Sequence, residues 1–533
     1  MPLFSKKSDD HGQNGHDQHP RSPVQGVEQA PPPDEHTRLL PNRVDSPRDS
    51  GRVLLTPDDP AVTPFNLWSI RILRWLTLLF AVVTFAWWII LLVSTFATPP
   101  GFHTRGGGFL AFGLTTLTFS NMVIGLIFFG VPAKAVRILS FVMAFLLLLD
   151  MIILLAVQQT RYEEGWVGIV SVVWALLMSL WTLLTDRMVK WGKEEEEERL
   201  TGRAETRRTL GEWSAVMVST IAYAVMIVAI VLITLTIILR ALDAGFAAPG
   251  KMYEVDGGKY RIHLYCNGNR TNTLGQELPT VLFEGGERPV EQGLWSFADN
   301  AIKNGSISRY CFADRPGMAW SDTAPSPLSA GFAVDVLSEA LVKAGETGPW
   351  VVASAGIGSL YSRVFSSRHG GDIKGLLLID ALHEDLLHPW ASAGRGFFLW
   401  LRGVISPLGL DRLPGAIFRG RSSRDRIYGR AWYQSGKSIF AQLQESLVLE
   451  SFTKRDVQSS RQIQDKDTPL VIVSSGEQIK RSKQWEEKQR DLTTLTDNLK
   501  KWDIVNGAPH AVWETLEGRD QIERRLKALV HGK

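Results

Sequence analysis

Residues 348–365 read GPWVVASAGIGSLYSRVF, and the fold of the C-terminal half turns on them. A Gly-Pro turn leads into the apolar run Trp350–Ala353, and a cluster of small residues, Ser354-Ala355-Gly356-Ile357-Gly358, follows at once. Short β-type runs of this kind recur from about Lys251 onward: Lys259–Cys266, Thr280–Phe283, Arg309–Ala313, Gly375–Ile379, Pro469–Val473 and Trp502–Val505. Gly/Pro turns and amphipathic stretches separate them. Apolar strands alternating with helices predict a mostly parallel sheet covered on both faces, an α/β domain over 250–533.

The N-terminal half has a different grammar. Five apolar segments, about Leu73–Phe96, Gly108–Val131, Val136–Val157, Trp166–Leu184 and Trp213–Leu239, each match the hydrocarbon thickness of a bilayer. Five in succession predict a transmembrane region of five helices over 63–246. Residues 1–62 are rich in Pro, Asp, His, Arg and Gly, hold the run Pro31-Pro32-Pro33 and show no sustained apolar periodicity, the composition of a disordered tail. That long polar stretch argues against a cleaved signal peptide.

The 533 residues carry 58 Lys+Arg against 55 Asp+Glu, a balance that excludes nucleic acid as a partner held by phosphate neutralisation. Charge placement says more than charge sum. Arg71 and Arg74, Lys134 and Arg137, and the loop 186–212 with Arg187, Lys190 and Lys193 all fall on one side if the helices alternate. The opposite loops hold only Arg105, and Arg161 beside Glu163 and Glu164, so the N-terminus is expected in the cytosol and the C-terminal domain in a lumen or outside the cell. Two N-x-[ST] triplets, at Asn269 and Asn304, agree with that orientation. Glu194–Glu198, in the charged cytosolic loop, read as a solvated helix face. In the tail, Glu35 with Leu39 and Leu40 resembles an acidic dileucine signal, which implies a sorting adaptor as partner and a vacuolar or plasma-membrane location.

An ordered series of motifs in the C-terminal half resembles the α/β-hydrolase fold: LPTVLFEGG, RYCFADRPGMAWSD, the stretch 348–365, GLLLIDALHED, TPLVIVSSG and Gly507-Ala508-Pro509-His510. The whole chain is similar to uncharacterised fungal multi-spanning membrane proteins with such a domain. Where active hydrolases carry G-x-S-x-G between strand and helix, this chain has Ser354-Ala355-Gly356-Ile357-Gly358, so Gly356 stands at the nucleophile position. Ser354 and Ser359 do not substitute for it, because either choice puts Val352, or Ile357 and Tyr361, where the tight turn demands small residues. The resemblance further implies His510 as general base, Glu477 or Asp380 as its acid, and backbone N–H groups of Ile357 and the Gly286 region as oxyanion donors. It places a helical lid over about 384–467, whose Trp390, Phe397, Phe398, Trp400 and Phe418 either line an apolar cavity for a lipid-like ligand or form lid core. Asp314-Arg315-Pro316-Gly317 matches a structural turn at the pocket edge. The implied sheet order sets the strand ending at Cys266 beside the one holding Cys311 and so implies a disulfide, with two buried thiols as the alternative.

Asp150, inside LLLLDMIILL, is a carboxylate within a membrane span, and Asn121 is its nearest expected polar neighbour; a packing role is the simpler reading. Metal-ligand clusters and phosphate-binding glycine loops are absent from the pattern, and no cofactor is expected. These readings together describe a membrane protein displaying an α/β-hydrolase-like domain that lacks its nucleophile and binds or scaffolds. An active esterase or lipase is the alternative, and a transporter with an accessory domain, resting on Asp150, is the third.

Overall fold

Five helices come first: α1 (Trp68–Ser94), α2 (Phe109–Ile127), α3 (Lys134–Ala156), α4 (Gln158–Thr201) and α5 (Leu210–Asp243), each long and apolar enough to cross a bilayer. The structure, a computed structural model, describes residues 62–202, 209–271 and 275–532; the dileucine residues Glu35, Leu39 and Leu40 lie outside them. The outward faces of the helices carry exposed apolar side chains such as Trp75, Val82, Phe141 and Val225, the complement of lipid tails. Polar atoms on the inner faces find partners. The indole N–H groups of Trp87, Trp174 and Trp181 donate to Ser171, Thr84 and Thr77 at 3.0, 2.9 and 3.0 Å. Asn121 donates to Thr182 at 2.9 Å and accepts from Tyr223 at 2.8 Å, so it is engaged there and not with Asp150, which is fully buried on α3. Such side-chain bridges hold helices together where lipid removes the hydrophobic drive to associate.

The fourth helix departs from expectation. It breaks at Gly165, whose φ of 59° only glycine adopts readily, then continues unbroken past the apolar segment to Thr201. The stretch read as a charged loop over 186–212 is therefore helical through Thr201. Nor is the acidic run a uniformly solvated face: Glu196 and Glu197 are buried, and Glu196 accepts from the Asn66 amide at 2.9 Å.

After α5 the chain builds one eight-stranded sheet: β1 (Lys251–Val255), β2 (Tyr260–Gly268), β3 (Thr280–Glu284), β4 (Arg309–Ala313), β5 (Trp350–Ala355), β6 (Ile373–Ile379), β7 (Leu470–Ser475) and β8 (Leu499–Val505). Their order is β1-β2-β4-β3-β5-β6-β7-β8, with β2 antiparallel to both β1 and β4 and every later pair parallel. β1 is the strand the sequence pattern did not disclose. Alternation along the strands feeds two cores. Val351, Ala353, Leu377 and Ile379 point to one face, Trp350, Val352, Leu376 and Leu378 to the other. Helices α6 (Leu294–Lys303), α7 (Ala330–Ala344), α8 (Gly358–Arg368), α15 (Gly476–Arg481), α16 (Lys483–Leu492) and α17 (Leu516–His531) surround the sheet. This is the α/β-hydrolase fold.

Between β6 and β7 lie the lid helices α9 (His388–Ala391), α10 (Ala393–Ile405), α11 (Arg412–Phe418), α12 (Ser423–Ile427), α13 (Gly436–Val448) and α14 (Lys454–Ile463). The lid is anchored to the membrane helices. Phe109 of α2 packs with Leu399, Ile439, Phe440 and Leu443, and Asp243 at the end of α5 receives both Arg412 at 2.5 Å and Arg426. Phe397, Phe398 and Phe418 are 56%, 68% and 82% exposed, and of these Phe398 borders an open apolar cavity on the lid. Trp400 packs against Phe96 at the end of α1, and Trp390 under Arg395 against the sheet core.

Cys266 and Cys311 face each other directly across the β2–β4 pair and are joined as a disulfide. Neither of the chain's two cysteines should react with a thiol reagent in denatured, unreduced protein, and both should after reduction; free thiol without reductant would contradict the bridge. Replacing both by Ser lowers stability by about 2–4 kcal/mol in denaturant unfolding.

Candidate functional site

The turn from β5 into α8 is where the fold places its reactive group. Gly356 has φ +46°, and its backbone is clamped by N–H donation to Ile379 O at 3.1 Å and by acceptance from Leu382 N–H at 3.0 Å. Two residues on, Gly358 lets the loop after β3 close in: a Cβ there would lie 2.1 Å from the carbonyl oxygen of Gly285. The neighbouring serines are consumed by structure. Ser354 is bonded to Ser362 at 2.6 Å, and Ser359 donates to the Gly356 carbonyl at 2.7 Å; both are buried.

Above Gly356 sits a carboxylate. A Cβ at Gly356 would lie 2.6 and 2.7 Å from the two Glu287 carboxylate oxygens and 2.9 Å from His510 Nε2. Glu287 accepts from the Ile357 N–H at 3.2 Å and from His510 Nε2 at 3.1 Å. The side chain thus fills the volume a nucleophile would occupy and takes up the Ile357 donor expected to face an oxyanion. The Gly286 carbonyl accepts from Arg315 at 2.7 Å, which fixes the loop that carries Glu287.

On the far side of the imidazole, His510 Nδ1 lies 2.6 Å from Asp380. Asp380, at the end of β6 and fully buried, also accepts from the Ser475 N–H and the Trp485 indole, each at 3.0 Å. Three donors on one carboxylate fix it as an acceptor and aim the ring. The other acid candidate, Glu477, makes its ion pair with Arg481 at 3.4 Å, away from His510. The site is therefore a row of Asp380, His510 and Glu287.

Charge follows from that row. Burial opposes a charged imidazole, but the hydrogen bonds to Asp380 and Glu287 and their negative charges prevail, raising the His510 pKa from 6.5 to about 10. Burial likewise opposes charge on Glu287, yet the His510 bond and attraction hold its carboxyl below the ordinary 4.5. At neutral pH the imidazolium has no lone pair to accept a proton, so it cannot serve as a general base.

Arg315 secures the loop that carries Glu287. Buried under the lid, it reaches Glu284 at 3.0 Å, Glu445 of α13 at 3.1 Å and the carbonyl of Gly285 at 2.6 Å, with its guanidinium over the Tyr361 ring. Burial raises the Glu284 pKa to about 7 against the pull of Arg315. The Asp-Arg-Pro-Gly turn is thus a clamp joining loop, elbow and lid. Glu287 is the functional residue that pattern reading passed over; the signal was an acid directly after Gly285-Gly286, opposite a glycine at the elbow.

The sign of the pH dependence is fixed by these shifts. A raised His510 pKa stabilises the fold fully below about 6.5 and ceases to do so as pH climbs through about 10. A lowered Glu287 pKa contributes above 4.5 and is lost on acidification. Thermal melts of Glu287→Gln should fall furthest below the unaltered protein between pH 4.5 and 6.5 and converge with it near pH 10; a constant gap would show that the ion pair is not its cause.

Residues 35–266 match a family described as a region of unknown function (DUF2417). Among structures of lower likeness, a carboxylesterase from the thaumarchaeon Nitrososphaera gargenis overlays 53% of this chain and 100% of its own at 11% identity and TM-score 0.40. An enol-lactonase from Burkholderia xenovorans does so over 53% and 100% at 13% identity and TM-score 0.39. An uncharacterised vacuolar membrane protein of Saccharomyces cerevisiae is 26% identical over 61% of this chain and 59% of its own length. An uncharacterised protein of Schizosaccharomyces pombe is 33% identical over 93% of this chain and 97% of its own. The chain belongs to the family of that Schizosaccharomyces pombe protein, and in this member five apolar helices precede an α/β-hydrolase domain.

Proposed function

We propose that this integral membrane protein of the endomembrane system displays a lumenal α/β-hydrolase-like domain that does not carry out acyl transfer and acts as a binding or scaffolding module. One observation carries the reading: the Glu287 carboxylate fills the nucleophile's place over Gly356 and holds in its protonated form the imidazole that would otherwise act as base. A glycine offers no oxygen to attack with, and the Ile357 donor is already taken. The vacuolar membrane relative supports the endomembrane location.

A fluorophosphonate probe applied to the full-length protein tests this. No labelling is expected for the unaltered chain or for Gly356→Ser alone, whose new Cβ meets the Glu287 carboxylate. Labelling is expected for Gly356→Ser combined with Glu287→Ala, and it should vanish when His510→Ala is added. Labelling of the unaltered protein, or its turnover of p-nitrophenyl esters above that of His510→Ala, would establish the active hydrolase instead.

Topology belongs to the same proposal: N-terminus cytosolic, domain lumenal. The loop after α1 and the first turn of α4 both touch the domain, through Thr323 to Thr104 O at 2.8 Å and Arg261 to Gln159 at 3.3 Å, as alternating crossings require. Asn269 and Asn304 are both exposed. Glycosidase treatment should therefore shift the apparent mass of protein from its native membrane, and protease added outside sealed vesicles should spare the domain; cleavage there refutes the orientation.

A further inference from the structure

A cavity of about 310 Å³ lies where the ends of α4 and α5 meet the lid and the first strands, within the size range of small-molecule sites. Its lining shares no residue with the row of Asp380, His510 and Glu287. It sits at one end of the membrane spans, beside the starts of α2 and α4 and the end of α5.

Its charges are paired unevenly, and in opposite senses on two sides. On the lid side Arg412 and Arg426 share the single carboxylate of Asp243, while Lys437 donates to the Ala319 carbonyl at 2.7 Å, forms no ion pair among the described residues, and feels the charges of Glu163 and Asp322 from a distance. On the bundle side the ratio inverts. Arg240 alone lies between Glu163 and Glu164, at 2.8 and 2.7 Å, and one Glu164 oxygen is buried without a hydrogen-bond partner. Thr236, also in the lining and 4% exposed, has a hydroxyl oxygen without a partner. A buried polar atom left unpaired carries a penalty of about 1–3 kcal/mol, which a ligand relieves.

Against this cavity lies a second, of about 400 Å³, sharing Ser406 and Arg412 with it and lined by Phe398, Leu401, Ile405 and Leu410. All four are at least partly exposed large apolar side chains on the lid. One chamber thus offers paired opposite charges and its neighbour offers hydrocarbon, with Arg412 at the boundary.

We infer that the two cavities together hold the headgroup and one acyl chain of a glycerophospholipid with a zwitterionic headgroup, its phosphate toward Arg412, Arg426 and Lys437, its ammonium toward Glu163 and Glu164, and that chain along α10. Binding is non-covalent, and its site is separate from the vacated hydrolase centre. Charge complementarity selects this occupant: an uncharged diacylglycerol leaves both sets of surplus charge unanswered, and an inorganic anion answers one and leaves the apolar chamber empty.

Native mass spectrometry of the full-length chain in detergent, titrated with phosphatidylethanolamine, diacylglycerol or inorganic phosphate, tests the inference. One phosphatidylethanolamine per chain should be retained, with diacylglycerol held at least about tenfold more weakly and phosphate failing to displace the lipid. Lys437→Gln, which removes a half-buried charge outside any ion pair, should weaken retention by about tenfold with the melting temperature unchanged. Ala244→Phe should abolish it by filling the headgroup chamber. Equal retention of diacylglycerol, displacement by phosphate, or undiminished binding in Lys437→Gln would overturn the proposal; should Ala244→Phe fail to fold, the Lys437→Gln result decides alone.

Discussion

A carboxylate held against a half-buried imidazolium organises the hydrolase-like domain. Glu287 is held over Gly356 by the charge of His510, His510 is held in its ring orientation by Asp380, and Asp380 is fixed by donors from β7 and α16. Removing one partner of such a buried set leaves an uncompensated charge, which is costlier than losing a surface pair. The arrangement inverts the electrostatics of an acyl-transfer site, which reserves its backbone donors for charge that develops only in the transition state. Here the charge is permanent and belongs to the protein.

The same economy of charge extends through the lid. Arg315 binds elbow loop and lid through Glu284 and Glu445, and Asp243 binds lid and membrane helix through Arg412 and Arg426. Domain, lid and bundle are thus connected by two buried ionic clusters in series. An opening of the lid of the kind that admits substrate in a soluble hydrolase would have to expose both. The two clusters therefore oppose lid opening of that kind.

The fold was legible where physics leaves few choices. A bilayer demands about twenty apolar residues per crossing, and a buried parallel strand demands a continuous apolar run, so five helices and seven of eight strands stood out. β1 did not, because the exposed Lys251 and Glu254 flank only the half-buried Met252 and Tyr253 at an edge and give no apolar run. The vacancy at Gly356 was readable from the small-residue spacing alone, whereas Glu287 was not: a carboxylate's destination depends on a loop that folds back across the sheet. Likewise the choice of Asp380 over Glu477 required the position of the His510 ring, which no spacing encodes. The exposure of Phe397, Phe398 and Phe418 depends on which lid face meets the membrane helices.

From the break at Gly165 to Thr201, α4 is one uninterrupted helix about 54 Å long, while the hydrocarbon it crosses is about 30 Å thick. Much of it therefore stands clear of the bilayer on the side opposite the domain, braced by Asn66 against Glu196. Its near end carries Glu163 and Glu164, held by Arg240, just before the break at Gly165. A rod that begins beside the cavity is a lever: a tilt of about 5° at its near end would sweep its far tip through about 5 Å. Anything that shifted Glu163 or Glu164 would thereby be felt about 54 Å away, at the other end of the helix.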